Sequence, residues 1–168
     1  MKSHKELINN KIFSGIDLLM KRINAWRLMS NTIVFTNGCF DLMHLGHIHL
    51  LSSAKDLGDK LIIGVNSDNS VKKIKGPKRP VNDEQTRINF LASLFYVDAV
   101  ILFEEETPYQ LIKAIEPDIL VKGGDYVLKD IIGSDIVLNG GGKVETIHYL
   151  EGLSSSATEE KIKQLHSL

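Results

Sequence analysis

His44 and His47 flank the pair Leu45-Gly46, directly after the short β-branched run Thr32-Ile-Val-Phe-Thr36 and the polar turn Asn37-Gly38-Cys39-Phe40-Asp41. From Gly46 the sequence HIHLLSSAKDL has a helical pattern, so both imidazoles fall in a helix's first turn, where free N–H groups and the macrodipole attract anions. Gly46 leaves that approach open to a phosphate. Imidazole donors placed there can stabilise charge building on a phosphoryl oxygen, the largest contribution to catalysis of this kind. A metal site built from His44, His47, His49 and Cys39 is the competing chemistry. Neither HExxH nor a second ligand cluster accompanies those residues, and no metal ligand is assigned. No GxGxxG follows the strand, and Gly141-Gly-Lys143 fails the GxxxxGK[ST] pattern because Val137 and Val144 hold its Gly and Ser/Thr positions.

Two further segments carry candidate binding groups. The basic loop from Ser67 to Pro80 holds Lys72, Lys75 and Arg79, with Arg87 beyond it; ammonium and forked guanidinium donors suit phosphates, and a solvated surface is the alternative for each. In Lys122-Gly123-Gly124-Asp125-Tyr126 the glycines would let main-chain groups approach a nucleotide and select its base, with a plain turn as the alternative. Asp41 and Asp68 suit hydroxyl or Mg²⁺-water contacts, and Asp41 could equally orient a histidine.

The elements that must position these groups alternate. A helical stripe (Ile16, Leu19, Met20, Ile23, Trp26) ends near Ser30 and precedes the first strand. The helix from Gly46 stops at Gly58, and Lys60–Asn66 reads as a buried strand. A helix capped by Asn82, with Gln85 three residues on, leads to a strand at Ala99–Phe103. Pro108 opens a helix that Pro117 ends, before a strand at Ile119–Lys122. Ser134–Leu138 is a short helix closed by Gly140-Gly-Gly142, Lys143–His148 a fifth strand, and Ser156–His166 a final helix. This order predicts an α/β fold: a Rossmann-like, doubly wound, five-stranded parallel sheet with helices on both faces. One domain is expected over 1–168, with a helical extension (1–30), an α/β core (31–150) and a terminal helix (151–168). In such a sheet, ligands bind beyond the carboxyl ends of the strands, where these loops converge.

The chain has 168 residues, 43% hydrophobic and 24% charged, which is ordinary globular composition. Twenty Lys+Arg against 21 Asp+Glu give a net charge of -1, so no global basic field serves a nucleic-acid partner and anions must be bound locally. One cysteine forbids an intrachain disulfide. The opening MKSHKELINNKIF has no signal-like apolar region, and no stretch suits a membrane span, so no membrane partner and a cytoplasmic location are expected.

Phe40-Asp41-Leu-Met-His44-Leu-Gly-His47 resembles the FDxxHxGH signature of the HxGH nucleotidyltransferase superfamily. Val65–Asp68, Lys75-Gly-Pro-Lys-Arg-Pro80, Arg87, Val97-Asp98, Thr107-Pro108, Pro117-Asp118 and Val121–Tyr126 narrow the resemblance to the D-glycero-β-D-manno-heptose 1-phosphate adenylyltransferase family, over roughly residues 30 to 165. The resemblance implies transfer of AMP from ATP, with Mg²⁺, to a sugar phosphate, for lipopolysaccharide core or related glycan synthesis. It implies a homodimer too, with the N-terminal helix's apolar face as a candidate surface, and a separate sugar kinase acting upstream. It makes His44, His47 and Lys75 catalytic. Asn37, Gly38, Cys39, Phe40, Asp41, Gly46, Arg87, Lys122, Gly123, Gly124 and Asp125 bind the nucleotide, and Asp68, Lys72 and Arg79 bind the acceptor. The family's C-terminal GxSTTxII departs here to Gly152-Leu-Ser154-Ser155-Ser156-Ala-Thr-Glu159, which keeps hydroxyls for phosphate contact at Ser154, Ser155 and Ser156 but replaces the isoleucine pair. Two alternatives stand: a cytidylyltransferase acting on glycerol 3-phosphate or another polyol phosphate, and a non-catalytic nucleotide-binding regulatory module.

Overall fold

Apolar side chains alternate along the strands and so sort onto two faces of one sheet. In the computed structural model, which describes residues 3–124, 126–148 and 164, Ile33 and Phe35 point to one face and Val34 to the other. The elements run α1 (His4–Asn9), β1 (Ile12–Phe13), α2 (Ile16–Leu28), β2 (Ile33–Gly38), α3 (Leu45–Lys55), β3 (Lys60–Asn66) and α4 (Asp68–Lys75). Then follow α5 (Glu84–Ser93), β4 (Ala99–Phe103), α6 (Tyr109–Ile115), β5 (Ile119–Gly123), a 3₁₀ turn (Leu128–Asp130), α7 (Ser134–Asn139) and β6 (Lys143–Ile147). The strands pair in parallel in the order β1-β4-β3-β2-β5-β6.

Helices cover both faces. Leu19 and Ile23 of α2, Leu111, Ile112 and Ile115 of α6 and Val137 of α7 pack on the Phe35 face. Leu50, Leu51 and Ala54 of α3 and Ile88, Leu91 and Ala92 of α5 pack on the Val34 face. The chain winds outward from β2 through β3 to β4, then returns to β5 on the other side of β2. That reversal opens a crevice at the carboxyl ends of β2 and β5.

The doubly wound α/β architecture is as expected, with four differences. The sheet has six strands rather than five: Ile12 and Phe13 pair with Val100 and Ile101, and a two-residue strand is too short to show a period. The Ser67–Pro80 segment is not all loop. Ser67 accepts from the Ser70 N–H at 3.2 Å and caps α4, whose charged face hid a single buried apolar anchor, Val71. The N-cap of α5 is Asp83, which accepts from Thr86 N–H at 2.7 Å, because Asn82 is drawn to Asp41 instead. The apolar face of α2, expected as a dimer surface, is buried against its own sheet. The final helix read at Ser156–His166 lies, apart from Gln164, outside the described residues. Among the described residues no helix is long and apolar enough to cross a membrane.

Candidate active site

Asn37 and Gly38 end β2, and the chain then turns through Phe40, whose φ of 49° is a left-handed conformation rare outside glycine and concentrated at functional sites. The turn delivers His44 to the N-cap of α3 and His47 to its first turn. The imidazole rings lie 3.9 Å apart between centroids, and the ring of the buried Phe40 is 5.5 Å from His47. The backbone N–H of His44 donates to Nδ1 of His47 at 3.3 Å, which leaves the neutral ring's proton on Nε2. Burial, reinforced by His44 and Lys75, pushes the His47 pKa down to about 4. Burial also lowers that of His44, whose Nδ1 is buried without a partner.

A cleft of about 440 Å³ opens over His47, with His44 beside that ring but outside the cleft lining. Asn37–Asp41 and His47 form its floor, Lys122, Gly123 and Tyr126 its β5 side, and Asn66, Ile74, Lys75 and Glu106 the opposite side. Lys122 donates to Oδ1 of Asn37 at 3.2 Å, and burial lowers its pKa, offset in part by Cys39. Burial raises the Cys39 thiol against the opposing pull of Lys75, Arg87 and Lys122. A smaller hollow of about 220 Å³ adjoins the β5 side and is lined by Pro108, Leu120, Ile131 and Ile132 together with Tyr126. A larger hollow, about 540 Å³, lies at the amino ends of the strands, beside Thr32, Asp118 and Lys143. It is remote from the histidines and from the strands' carboxyl ends, so we place the site in the cleft above α3.

Around the cleft, four charged side chains assigned from sequence act as braces. Arg87, 2% exposed, donates through Nη1 to Cys39 O at 2.6 Å, through Nη2 to Asp68 at 2.8 Å and through Nε to Asn82 O at 3.1 Å. Asp41 pairs with Arg79 at 2.7 Å and accepts from the N–H groups of Val81 and Asn82, at 2.8 and 2.9 Å. Burial would raise the Asp41 carboxyl, but those N–H groups and Arg79 outweigh it and hold the pKa below the usual range. Lys72 is exposed on α4 away from the cleft lining, and Gly46 is buried in α3. Gly124 N–H donates to Ile147 O at 2.9 Å and joins β5 to β6. Asp125, Ser154, Ser155 and Ser156 lie outside the described residues.

Asn66, Tyr126 and Glu106 are cleft residues that the sequence reading did not assign. Position at the end of a buried strand marks Asn66, and the glycine motif marks Tyr126. Glu106 closes a run of three glutamates that reads as solvated surface. Among the described residues no three histidine, cysteine or carboxylate groups gather as a metal site.

A family model described as cytidylyltransferase-like matches residues 35–155, from β2 through the cleft and beyond β6. The chain belongs to the cytidylyltransferase-like family. It is a nucleotidyltransferase domain of the HxGH kind. Among curated relatives, it is 49% identical to the bifunctional protein HldE of Wolinella succinogenes over 161 residues, which is 96% of this chain and 33% of that one. It is 51% identical to HldE of Nitratiruptor sp. over 91% of this chain and 32% of the relative. For HldE of Helicobacter pylori the identity is 48%, over 96% of this chain and 34% of the relative. The chain thus spans about one third of the length of these relatives. Among solved structures, a lipopolysaccharide core biosynthesis protein from Thermoplasma volcanium superposes with a TM-score of 0.57 at 30% identity, covering 71% of this chain and 97% of that one. Pantoate-beta-alanine ligase from Francisella tularensis superposes with a TM-score of 0.64 over 94% of this chain and 78% of its own; at 18% identity it shares the fold.

Proposed function

We propose that this cytidylyltransferase-like domain transfers AMP from ATP to D-glycero-β-D-manno-heptose 1-phosphate, releasing pyrophosphate and forming ADP-heptose for lipopolysaccharide core or related glycan synthesis. The observation that carries the reading is one cleft in which His47 of the HxGH motif, Lys75 and the part-buried Lys122 converge. The near-half identity to bifunctional HldE proteins over almost the whole chain supports the acceptor.

In this reading an acceptor phosphate oxygen attacks the α-phosphorus of ATP in line, the bond from that phosphorus to the bridging oxygen breaks, and pyrophosphate leaves with the electron pair. No covalent enzyme intermediate forms. His47 donates from Nε2 to the α-phosphate as charge builds, with His44 beside it and the backbone of Asn37–Phe40 offering further donors. Lys75 and Lys122 hold phosphates from opposite sides. The adjoining apolar hollow behind Tyr126 takes the base, next to the backbone of Gly123 and Gly124. Arg87, Asp68, Arg79 and Asp41 serve by fixing the loops that carry these groups. Mg²⁺ would have to be held through the triphosphate itself, since Asp41 and Asp68 are paired with Arg79 and Arg87, and it would supply charge neutralisation for the departing pyrophosphate.

The reading places a sugar kinase upstream, makes the working unit a homodimer and locates it in the cytoplasm. Pyrophosphate release should require ATP and heptose 1-phosphate together. Release with CTP and glycerol 3-phosphate would replace the substrate assignment, and nucleotide binding without release under any combination would replace catalysis by a regulatory role.

A further inference from the structure

The cleft lined by Lys75 and Lys122 also presents two carboxylates, Asp41 and Glu106. Asp41 is neutralised by Arg79 and engaged by two backbone N–H groups. Glu106 has no hydrogen bond or ion pair among the described residues, so the fold's own packing does not require its charge. Facing Lys122 across the cleft, a carboxylate repels phosphates, whereas a ligand that carries hydroxyl groups offers it hydrogen-bond donors.

Its backbone is held in place. Asn66 Nδ2 donates to Ser70 Oγ at 2.9 Å, and Ser70 Oγ donates to Glu105 O at 2.8 Å. Ser67 N–H donates to Phe103 O at 2.9 Å, and on the far side the buried Pro108 leads into α6. The backbone on either side of Glu106 is thus anchored, which keeps its exposed side chain at the rim of the cleft. Its place in the cleft is the wall formed by α4 and the ends of β3 and β4, opposite the β5 wall that carries Lys122, Tyr126 and the apolar hollow. With the base on the β5 side, the acceptor lies against Glu106.

We propose that Glu106 is an acceptor-specificity residue, its carboxylate accepting hydrogen bonds from hydroxyl groups of a polyhydroxylated phosphate while disfavouring phosphates that offer none. Sugar hydroxyls are neutral donors to a carboxylate, whereas inorganic phosphate, whose P–OH donors sit on the anion itself, meets net repulsion. The two effects have opposite signs when the charge is removed. The assignment of walls rests on the nucleotidyl-transfer reading above, whereas the sign of the effect can be measured without turnover.

The test is calorimetric binding of heptose 1-phosphate, inorganic phosphate and Mg·ATP to the full chain, its Glu106→Ala and its Glu106→Gln variants. In Glu106→Ala the dissociation constant for heptose 1-phosphate should rise about tenfold, the change expected for loss of a charge-assisted hydrogen bond. That for inorganic phosphate should hold or fall, Mg·ATP should be unaffected, and Glu106→Gln should lie between on the sugar phosphate. Melting temperatures should not move, because the side chain supports no packing.

Equal tightening of both phosphates would overturn the proposal, since Glu106 would then be only a repulsive rim. So would weakened Mg·ATP with unchanged sugar phosphate, which would make it a group serving the metal. A wild-type protein that binds heptose 1-phosphate no better than inorganic phosphate would overturn it as well. Failure of the catalytic reading is separate: a wild type that turns over no acceptor, yet needs Glu106 to bind the sugar phosphate, loses the reaction and keeps the recognition role.

Discussion

The backbone N–H of His44 donates to Nδ1 of His47, and this places the neutral ring's proton on Nε2. Protonating Nδ1 would break that bond, and burial, His44 and Lys75 already push the pKa down to about 4. In the ligand-free protein the His47 ring should therefore stay neutral from pH 8 to about pH 5. Ring-proton NMR shifts would show it; titration near the ordinary histidine value of about 6.5 would refute the arrangement. Stability follows the same sign. Unfolded His47 takes up a proton as pH falls below about 6.5 while the folded ring does not, so its contribution is complete above that value and is lost towards pH 4. Between pH 7.5 and 4.5, wild type should lose about 1–2 kcal/mol more than His47→Asn in denaturant unfolding, after allowance for partial solvent screening.

His47→Ala should lower kcat by about 10²–10³, the cost of removing one preorganised donor to developing charge, with the melting temperature nearly retained. Steady-state pyrophosphate release beside a thermal melt separates the two. Normal turnover would remove His47 from the reaction.

Lys122 is a part-buried ammonium whose hydrogen bond is to the neutral Asn37, and burial lowers its pKa. Lys122→Met should leave stability unchanged or raise it by about 1 kcal/mol, because a desolvated charge is gone. Affinity for ATP should fall by about tenfold or more. A drop in stability with unchanged ATP binding would make the lysine structural.

Arg87 joins two loops and the start of α4, through Cys39 O, Asn82 O and Asp68. Arg87→Met strands those acceptors in a buried place and should cost about 3 kcal/mol or more in urea unfolding. Coupling with Asp68→Asn in a double-mutant cycle should be about 1 kcal/mol or more. A guanidinium that clamps substrate instead would weaken phosphate binding and leave stability untouched.

The glycine run after α7 should divide sharply. A Cβ on Gly142 would sit 2.6 Å from Asp118 O, a carbonyl held by Lys143 N–H at 2.8 Å, so Gly142→Ala should cost about 2 kcal/mol or more. Gly140 has an ordinary φ of -77° and its nearest new contact would be 3.4 Å away, so Gly140→Ala should change stability by less than about 0.5 kcal/mol either way. Thermal melts of the two variants decide it; equal effects would refute the packing of that turn.

Local pattern carried much of this protein in one dimension. Lys60–Asn66 and Ala99–Phe103 are strands with the bounds their apolar runs suggest, and the helix expected from Gly46 starts at Leu45, between His44 and His47. These features depend on neighbours a few residues apart, which periodicity and capping record. What each charged residue does is another matter. Asp41 and Arg79 are 38 residues apart, Arg87 and Cys39 are 48, and Lys122 and Asn37 are 85. They meet because the sheet order β4-β3-β2-β5 sets side by side strand ends that are distant in sequence. The short strand β1 likewise exists because the β4 edge was there to pair with it. Composition and spacing nominate arginine and lysine as phosphate ligands and aspartate as a partner for hydroxyls or Mg²⁺-bound water. Only the tertiary structure decides which of them are engaged in bracing the loops and which, like Lys122 and Glu106, face the cleft, because burial and partner choice are properties of the assembled strand ends.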